Sequence, residues 1–197
     1  MVFFESIESI LLSFGYIAVF LIVFAESGLF FGFFLPGDSL LFTAGLLAQK
    51  GFFNLHILLA GTIICAVLGD QVGYWMGSKY GRGFFSKPKD FFRDPKHIQK
   101  AEGFYKKHGK LAIVAARFFP VVRTFAPIVA GIAKMEYKNF LFYNIIGGVL
   151  WSSSFILLGF FIGSIIPNAS EYITAIIAVI IIISLIPAAY AYFSHKK

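Results

Sequence analysis

The chain has one cysteine, Cys65, in 197 residues. That excludes an internal disulfide and a cysteine-built zinc cluster. Charge is also scarce: Asp, Glu, Lys and Arg make up 14%, against about 25% in soluble domains. There is no glycine-rich loop leading into Lys-Ser/Thr, so no ATP site is expected. The four histidines, His56, His97, His108 and His195, are scattered, and none pairs with a carboxylate at ligand spacing. No metal and no cofactor are therefore expected. Ser152-Ser153-Ser154 has no membrane histidine near it, so no hydrolase nucleophile is visible and the chain is not expected to be an enzyme. What is abundant is apolar side chain, 58% of the residues, with a mean hydropathy of +0.81. Together these features exclude a soluble enzyme, a disordered chain and a nucleic-acid-binding domain. They point to an all-α integral membrane protein with several spans.

The net charge of +7 implies no nucleic-acid partner, because its distribution explains it. Ten basic residues fall in 78–110: Lys79, Arg82, Lys87, Lys89, Arg93, Lys96, Lys100, Lys106, Lys107 and Lys110. Long stretches carry no charge at all: 9–25, 51–69, 139–170 and 172–194. A helix needs about 20 apolar residues to cross a bilayer, so four spans are expected, near 10–31, 54–77, 139–164 and 171–193. Residues 1–9 hold Glu5 and Glu8 and no basic residue. They are expected as an interfacial segment rather than a cleavable signal peptide.

Two apolar stretches do not fit as spans. The segment 35–48 would be a helix of only about 21 Å. The segment 111–133 is interrupted by Arg117, Pro120, Arg123 and Pro127, and proline in a helix interior costs about 3 kcal/mol. Both are expected as re-entrant hairpins, with Pro36, Gly37, Pro120 and Pro127 at their turns. Broken backbone is tolerated at membrane depth only where protein or a wet cavity surrounds it. The basic loop 78–110 is expected in the cytoplasm as a short helical hairpin near anionic lipid, and both termini on the same side. The re-entrant hairpins then enter from opposite faces, the layout of an inverted-repeat transporter whose site lies near the midplane. Phe33-Phe34-Leu35-Pro36 and Phe118-Phe119-Pro120 echo each other in the two halves. All 197 residues make one membrane domain.

Five ionisable residues remain at membrane depth: Glu26, Asp38, Asp70, Arg117 and Arg123. Each would cost about 2.5–3.5 kcal/mol if it faced lipid, so they must pair, take up protons or line a hydrated site. An ion-pair network that only holds hairpins together is one outcome. A site for a charged substrate and protons is the one favoured here. Arginine forks match phosphate oxygens bidentately and stay charged, and a break at Pro120 is expected to turn Arg117 and Arg123 toward one site. The carboxylates are the exchangeable partners: desolvation favours their neutral forms and arginine opposes it. Asp38, following the Pro36-Gly37 turn, is also expected to cap the next half-helix. Gly69, Gly73 and Gly77 form a doubled small-xxx-small pattern for close helix packing. Asp70 shares their region, and packing alone does not explain it. Asn144, Gly148, Ser152, Gly159 and Gly163 are expected to form a second packing face.

The ordered set Glu26, Phe34-Leu35-Pro36-Gly37-Asp38, Gly69-Asp70, Gly73-Tyr74, Gly77, Arg117-Phe118-Phe119-Pro120, Arg123, Pro127, Ala130-Gly131, Met135 and Phe140 resembles the DedA family of membrane proteins, related to the VTT and SNARE-associated Golgi protein group. The resemblance covers roughly residues 15–165. It implies two facing re-entrant hairpins, a multi-pass protein of the bacterial inner membrane, and transport of anionic lipid. In the family this is associated with returning undecaprenyl phosphate across the membrane, phospholipid movement, proton-motive-force homeostasis and resistance to cationic peptides. Its functional acids fall on Glu26, Asp38 and Asp70, its arginines on Arg117 and Arg123. The function expected is a lipid-phosphate transporter or flippase, with the bilayer, the anionic lipid and protons as partners. The alternatives are a proton-coupled exporter or antiporter of small ions or drugs, and a non-transporting scaffold or phospholipid scramblase. Undecaprenyl phosphate is the lipid expected first, and a second copy of the chain is a further candidate partner.

Overall fold

Every described element is a helix, as the charge-free runs require. The structure is a computed structural model that describes residues 2–29, 35–84 and 111–165. The expected span 171–193 and most of the basic loop, 85–110, lie outside the described residues. The helices are α1 (Val2–Gly28), α2 (Gly37–Gln49), α3 (Leu55–Phe84), α4 (Leu111–Ala116), α5 (Pro120–Ile132) and α6 (Tyr137–Ile165). Within them, Leu55–Tyr80 and Tyr137–Ile165 are long and apolar enough to cross a bilayer. Their outward faces carry large exposed apolar side chains, among them Ile57, Ile64 and Leu68 on α3 and Phe142, Leu158 and Phe161 on α6. This is the pattern of helices whose solvent is hydrocarbon.

α1 is broken at Gly15 (φ 57, ψ −137), a conformation open to glycine because it lacks Cβ. The break comes six residues after the boundary expected at residue 9. Beyond it, Phe14–Gly28 is apolar and ends beside α3. A Cβ on Gly28 would come within 2.9 Å of the Gly69 carbonyl, and one on Gly69 would meet Phe24 and Ser27 at 2.7–2.8 Å. The start of α3 is fixed by Asn54, whose Oδ1 accepts the N–H groups of His56 and Ile57 at 3.0 and 3.3 Å, an N-cap. The Asn54 N–H in turn donates to the Tyr16 hydroxyl of α1 at 2.6 Å.

α2 has 13 residues, about 20 Å of helix, and is buried continuously from Ser39 to Ala48. A helix buried on every face has protein rather than lipid around it. It lies on α6, where Gly45 meets the backbone of Ile156 and Gly159 meets that of Phe42, contacts with no room for a Cβ. α5 lies in the same way on α3. Gly77 meets the backbone of Ile128, Gly131 meets that of Tyr74, and Gly73 faces Pro127. The glycine stripe of α3 thus serves two neighbours, α1 through Gly69 and α5 through Gly73 and Gly77.

One expectation is corrected. Pro127 is not at a turn: it sits inside α5, which runs on to Ile132. Its ring packs toward Gly73, 3.3 Å from a Cβ placed there, so α3 comes close where the proline leaves a ladder bond unmade. The helix of the second span continues past 77 through Ser78–Phe84, into the start of the basic loop that was expected to be helical. Lys79 and Arg82 are good helix formers, and positive charge is favoured near a helix C-terminus. The break expected at Pro120 is observed. The N–H groups of Arg117, Phe118 and Phe119 bond three residues back, to Val114, Ala115 and Ala116, and Pro120 then opens α5 at a position that needs no N–H.

Candidate functional site

The amino ends of α2 and α5, the two short helices, meet at charged side chains. Arg123, in the first turn of α5, donates from Nη1 to Asp38 Oδ1 at 2.5 Å and from Nη2 to Glu26 Oε1. Asp38 lies in the first turn of α2 and Glu26 near the end of α1. Glu26 is 0% exposed, Arg123 8%, and the Asp38 side chain 13%. The Glu26 carboxylate lies against the backbone of Gly37 and takes the space a Cβ would need, so glycine at this position lets a carboxylate sit at the amino end of α2, where the helix dipole favours negative charge. Asp38 does not cap α2. The helix has Pro36 at its N-cap and no side-chain cap bond, because the Asp38 carboxylate is drawn to Arg123 and Trp151 instead. The Trp151 indole N–H donates to Asp38 Oδ1 at 2.8 Å, and the Arg123 guanidinium lies over the Trp151 ring, 4.8 Å from its centroid.

Arg117, in the turn between α4 and α5, faces a different set. Its Nη2 reaches Asp70 Oδ2 at 2.6 Å, Asn144 Oδ1 at 2.5 Å and the Ala66 carbonyl at 3.3 Å. The Asn144 amide then donates to the Val67 carbonyl at 3.2 Å. Gly147 and Gly148 of α6 leave room for this side chain: a Cβ on Gly147 would come within 2.9 Å of Arg117 Cδ. The side chains of Arg117 and Asp70 are 4% and 5% exposed.

Arg117 and Arg123, expected to turn toward one site, take different hydrogen-bond partners, although Asp70 lies within electrostatic reach of both. The turn at 117–119 sends Arg117 toward α3 and α6, while the first turn of α5 sends Arg123 toward α1 and α2. They share no hydrogen-bond partner. All five of these charges are nonetheless paired, in one neutral pair and one triad that carries two carboxylates for one arginine.

Two residues of these centres were not singled out as site residues from the sequence. Asn144 was read as packing, and Trp151 was not marked at all. They stand seven residues apart on α6, two turns on one face. A tryptophan in the middle of an apolar run, whose N–H needs an acceptor there, was the available signal. Among the described residues no cluster of three His, Cys, Asp or Glu side chains is placed to hold a metal.

Residues 35–161 match the VTT domain family, a stretch that runs from the start of α2 to near the end of α6 and includes Asp38, Asp70, Arg117, Arg123, Asn144 and Trp151. The chain is 41% identical to Protein DedA of Escherichia coli (strain K12) over 184 residues, 92% of this chain and 84% of that protein. The chain belongs to the DedA family. Other relatives agree. An uncharacterized membrane protein of Mycobacterium leprae (strain TN) is 40% identical over 87% of this chain and 76% of its own length. Inner membrane protein YghB of Escherichia coli (strain K12) is 34% identical over 80% and 71%. No solved structure matches the chain. With its apolar helices, this DedA-family chain is a membrane protein.

Proposed function

We propose that the protein moves an anionic lipid phosphate, with undecaprenyl phosphate as the foremost candidate, across a bacterial inner membrane, and that proton exchange at Glu26 and Asp38 gates the phosphate's access to Arg123. The observation that carries this is the imbalance at Arg123, one guanidinium held between two carboxylates, the buried Glu26 and the part-buried Asp38. With both carboxylates ionised, the guanidinium is occupied and the triad is formally negative, so it repels a phosphate. A proton on either carboxylate removes that charge and weakens one grip. Phosphate oxygens can then replace the carboxylate on the same fork. Arg123 Nε, which has no acceptor among the described residues, adds a further donor. The amino end of α2, now faced by Glu26, favours an anion as well.

The remaining parts fit around this centre. α2, enclosed by protein and too short to cross, and α4–α5, broken before Pro120, serve as re-entrant elements that enter from opposite faces and meet at Arg123. The crowd of Lys and Arg in 78–110 supports a cytoplasmic side for that loop and both termini. The relative YghB is named as an inner membrane protein, consistent with the compartment proposed. Arg117, satisfied by Asp70 and Asn144, holds the α4–α5 turn in place. A non-transporting scaffold is the second reading, favoured by the pairing of all five charges.

The experiment is reconstitution in liposomes with a labelled polyprenyl phosphate, read as label crossing between leaflets. Wild-type protein is expected to accelerate crossing and Arg123→Ala to abolish it. Equal crossing with and without the protein, under both directions of a pH gradient, would favour the scaffold.

A further inference from the structure

We propose that Trp151 is a positioning residue of the Arg123 centre, holding the Asp38 carboxyl with its indole N–H and the Arg123 guanidinium with its ring, and so fixing how α2 and α5 meet. Its consequence for transport rests on the lipid-phosphate proposal, but its geometry does not. Trp151 is 1% exposed and belongs to α6, which contributes none of the charged members of the triad. Its Nε1 shares Asp38 Oδ1 with Arg123 Nη1, at 2.8 and 2.5 Å, while its ring lies under the same guanidinium. One rigid side chain therefore touches both halves of the Asp38–Arg123 pair.

The chemistry of the two contacts differs in a way that matters when the pair opens. A guanidinium binds a ring through its face, but its N–H donors lie in its plane. The contact with the Trp151 face uses no N–H of Arg123, so the fork that now holds Asp38 and Glu26 can pass to phosphate oxygens while the ring contact stays. The indole N–H has an acceptor in a carboxylate and, more weakly, in the carbonyl oxygen of a neutral carboxyl, so the contact to Asp38 exists in either charge state. The backbone beneath is tight, with Gly45 of α2 against Ile156 of α6, one turn beyond Trp151. The charged groups around it are Glu26 from α1, Asp38 from α2 and Arg123 from α5, with the Asp70–Arg117 pair held to Asn144 two turns earlier on α6. Trp151 is thus the part of the centre that does not move when proton and phosphate exchange.

The test uses full-length protein with Trp75→Phe, which removes the only other tryptophan, a half-exposed residue of α3 outside the centre, and leaves Trp151 as sole fluorophore. Its emission is expected to shift in Asp38→Asn, which changes the acceptor of the indole N–H, and in Arg123→Lys, which removes the guanidinium from the ring face. These readings need no lipid phosphate. In liposomes, Trp151→Phe keeps the ring and loses the N–H. It is expected to lower turnover about tenfold, the value of one hydrogen bond to a charged group, and to displace the pH profile, with half-saturating lipid phosphate changed less than about threefold. Trp151→Leu loses both contacts and is expected to raise half-saturation as well, by about threefold to thirtyfold, the range of a desolvated cation–π contact. Trp151→Phe with wild-type turnover and pH profile, or emission unchanged in both Asp38→Asn and Arg123→Lys, would overturn the proposal. If wild-type protein moves no lipid phosphate, the transport proposal fails, and the emission arm still decides the role of Trp151.

Discussion

Arg117 and Arg123 stand six residues apart on either side of Pro120, and both are buried among helices, yet their settings differ in kind. Arg117 meets one carboxylate, one amide oxygen and one carbonyl, and its pair with Asp70 is neutral. Arg123 meets two carboxylates and an aromatic face. A one-to-one pair surrounded by neutral acceptors has no reason to open, since removing either partner strands the other in a low dielectric. A two-to-one triad is out of balance as it stands and comes into balance when a proton arrives. The same residue type therefore serves as a strut at one point and as an exchangeable anion seat at the other.

The largest effect that would break this comparison is on transport. Arg123→Ala is expected to reduce lipid-phosphate crossing by about a hundredfold or more, the loss of two hydrogen bonds to a charged group, while Arg123→Lys, a point charge without the fork, retains a fraction. The effect is read in liposomes at equal amounts of folded protein. Next comes stability: Arg117→Ala leaves Asp70 buried alone and is expected to cost about 3–5 kcal/mol in reversible unfolding in mixed detergent micelles, while crossing per folded molecule persists. Loss of crossing with full stability in Arg117→Ala would erase the distinction. A smaller loss, about 1–3 kcal/mol from overpacking, is expected for Gly159→Val, whose new side chain meets the backbone of Phe42 in α2. The smallest is Tyr74→Phe. Its hydroxyl donates to the Met135 carbonyl at 2.5 Å in the turn between α5 and α6, and its loss is expected to cost about 0.5–1.5 kcal/mol with the pH profile unchanged.

Much of the charged framework was legible in the sequence because a charge in an apolar run must be accounted for. Glu26, Asp38, Asp70, Arg117 and Arg123 stood out on that ground alone, and Pro120 marked the break. The partners were not legible, since the pairs join residues 47 to 97 positions apart and no local rule reaches so far. Pro127 was misjudged because the rule against interior proline is local, whereas the close approach of α3 at Gly73 is tertiary. Asp38 was given a capping role because the local turn chemistry fits it, and the stronger pull of Arg123 comes from another helix. Asn144 and Trp151 escaped notice because amides and indoles in spans are ordinary, and only the distances to Arg117 and Asp38 show what they hold.

The central claim is that protons on Glu26 and Asp38 release Arg123 for a phosphate. Its most direct test is equilibrium binding of a short-chain polyprenyl phosphate to the purified protein in detergent across acid to alkaline pH, for wild type, Glu26→Gln/Asp38→Asn and Arg123→Ala. Wild-type binding should strengthen as pH falls, because ionised carboxylates compete for Arg123. The doubly neutral variant should bind tightly across the range, and Arg123→Ala should bind weakly throughout. Binding with the same pH dependence in the doubly neutral variant as in wild type, or undiminished in Arg123→Ala, would contradict the account.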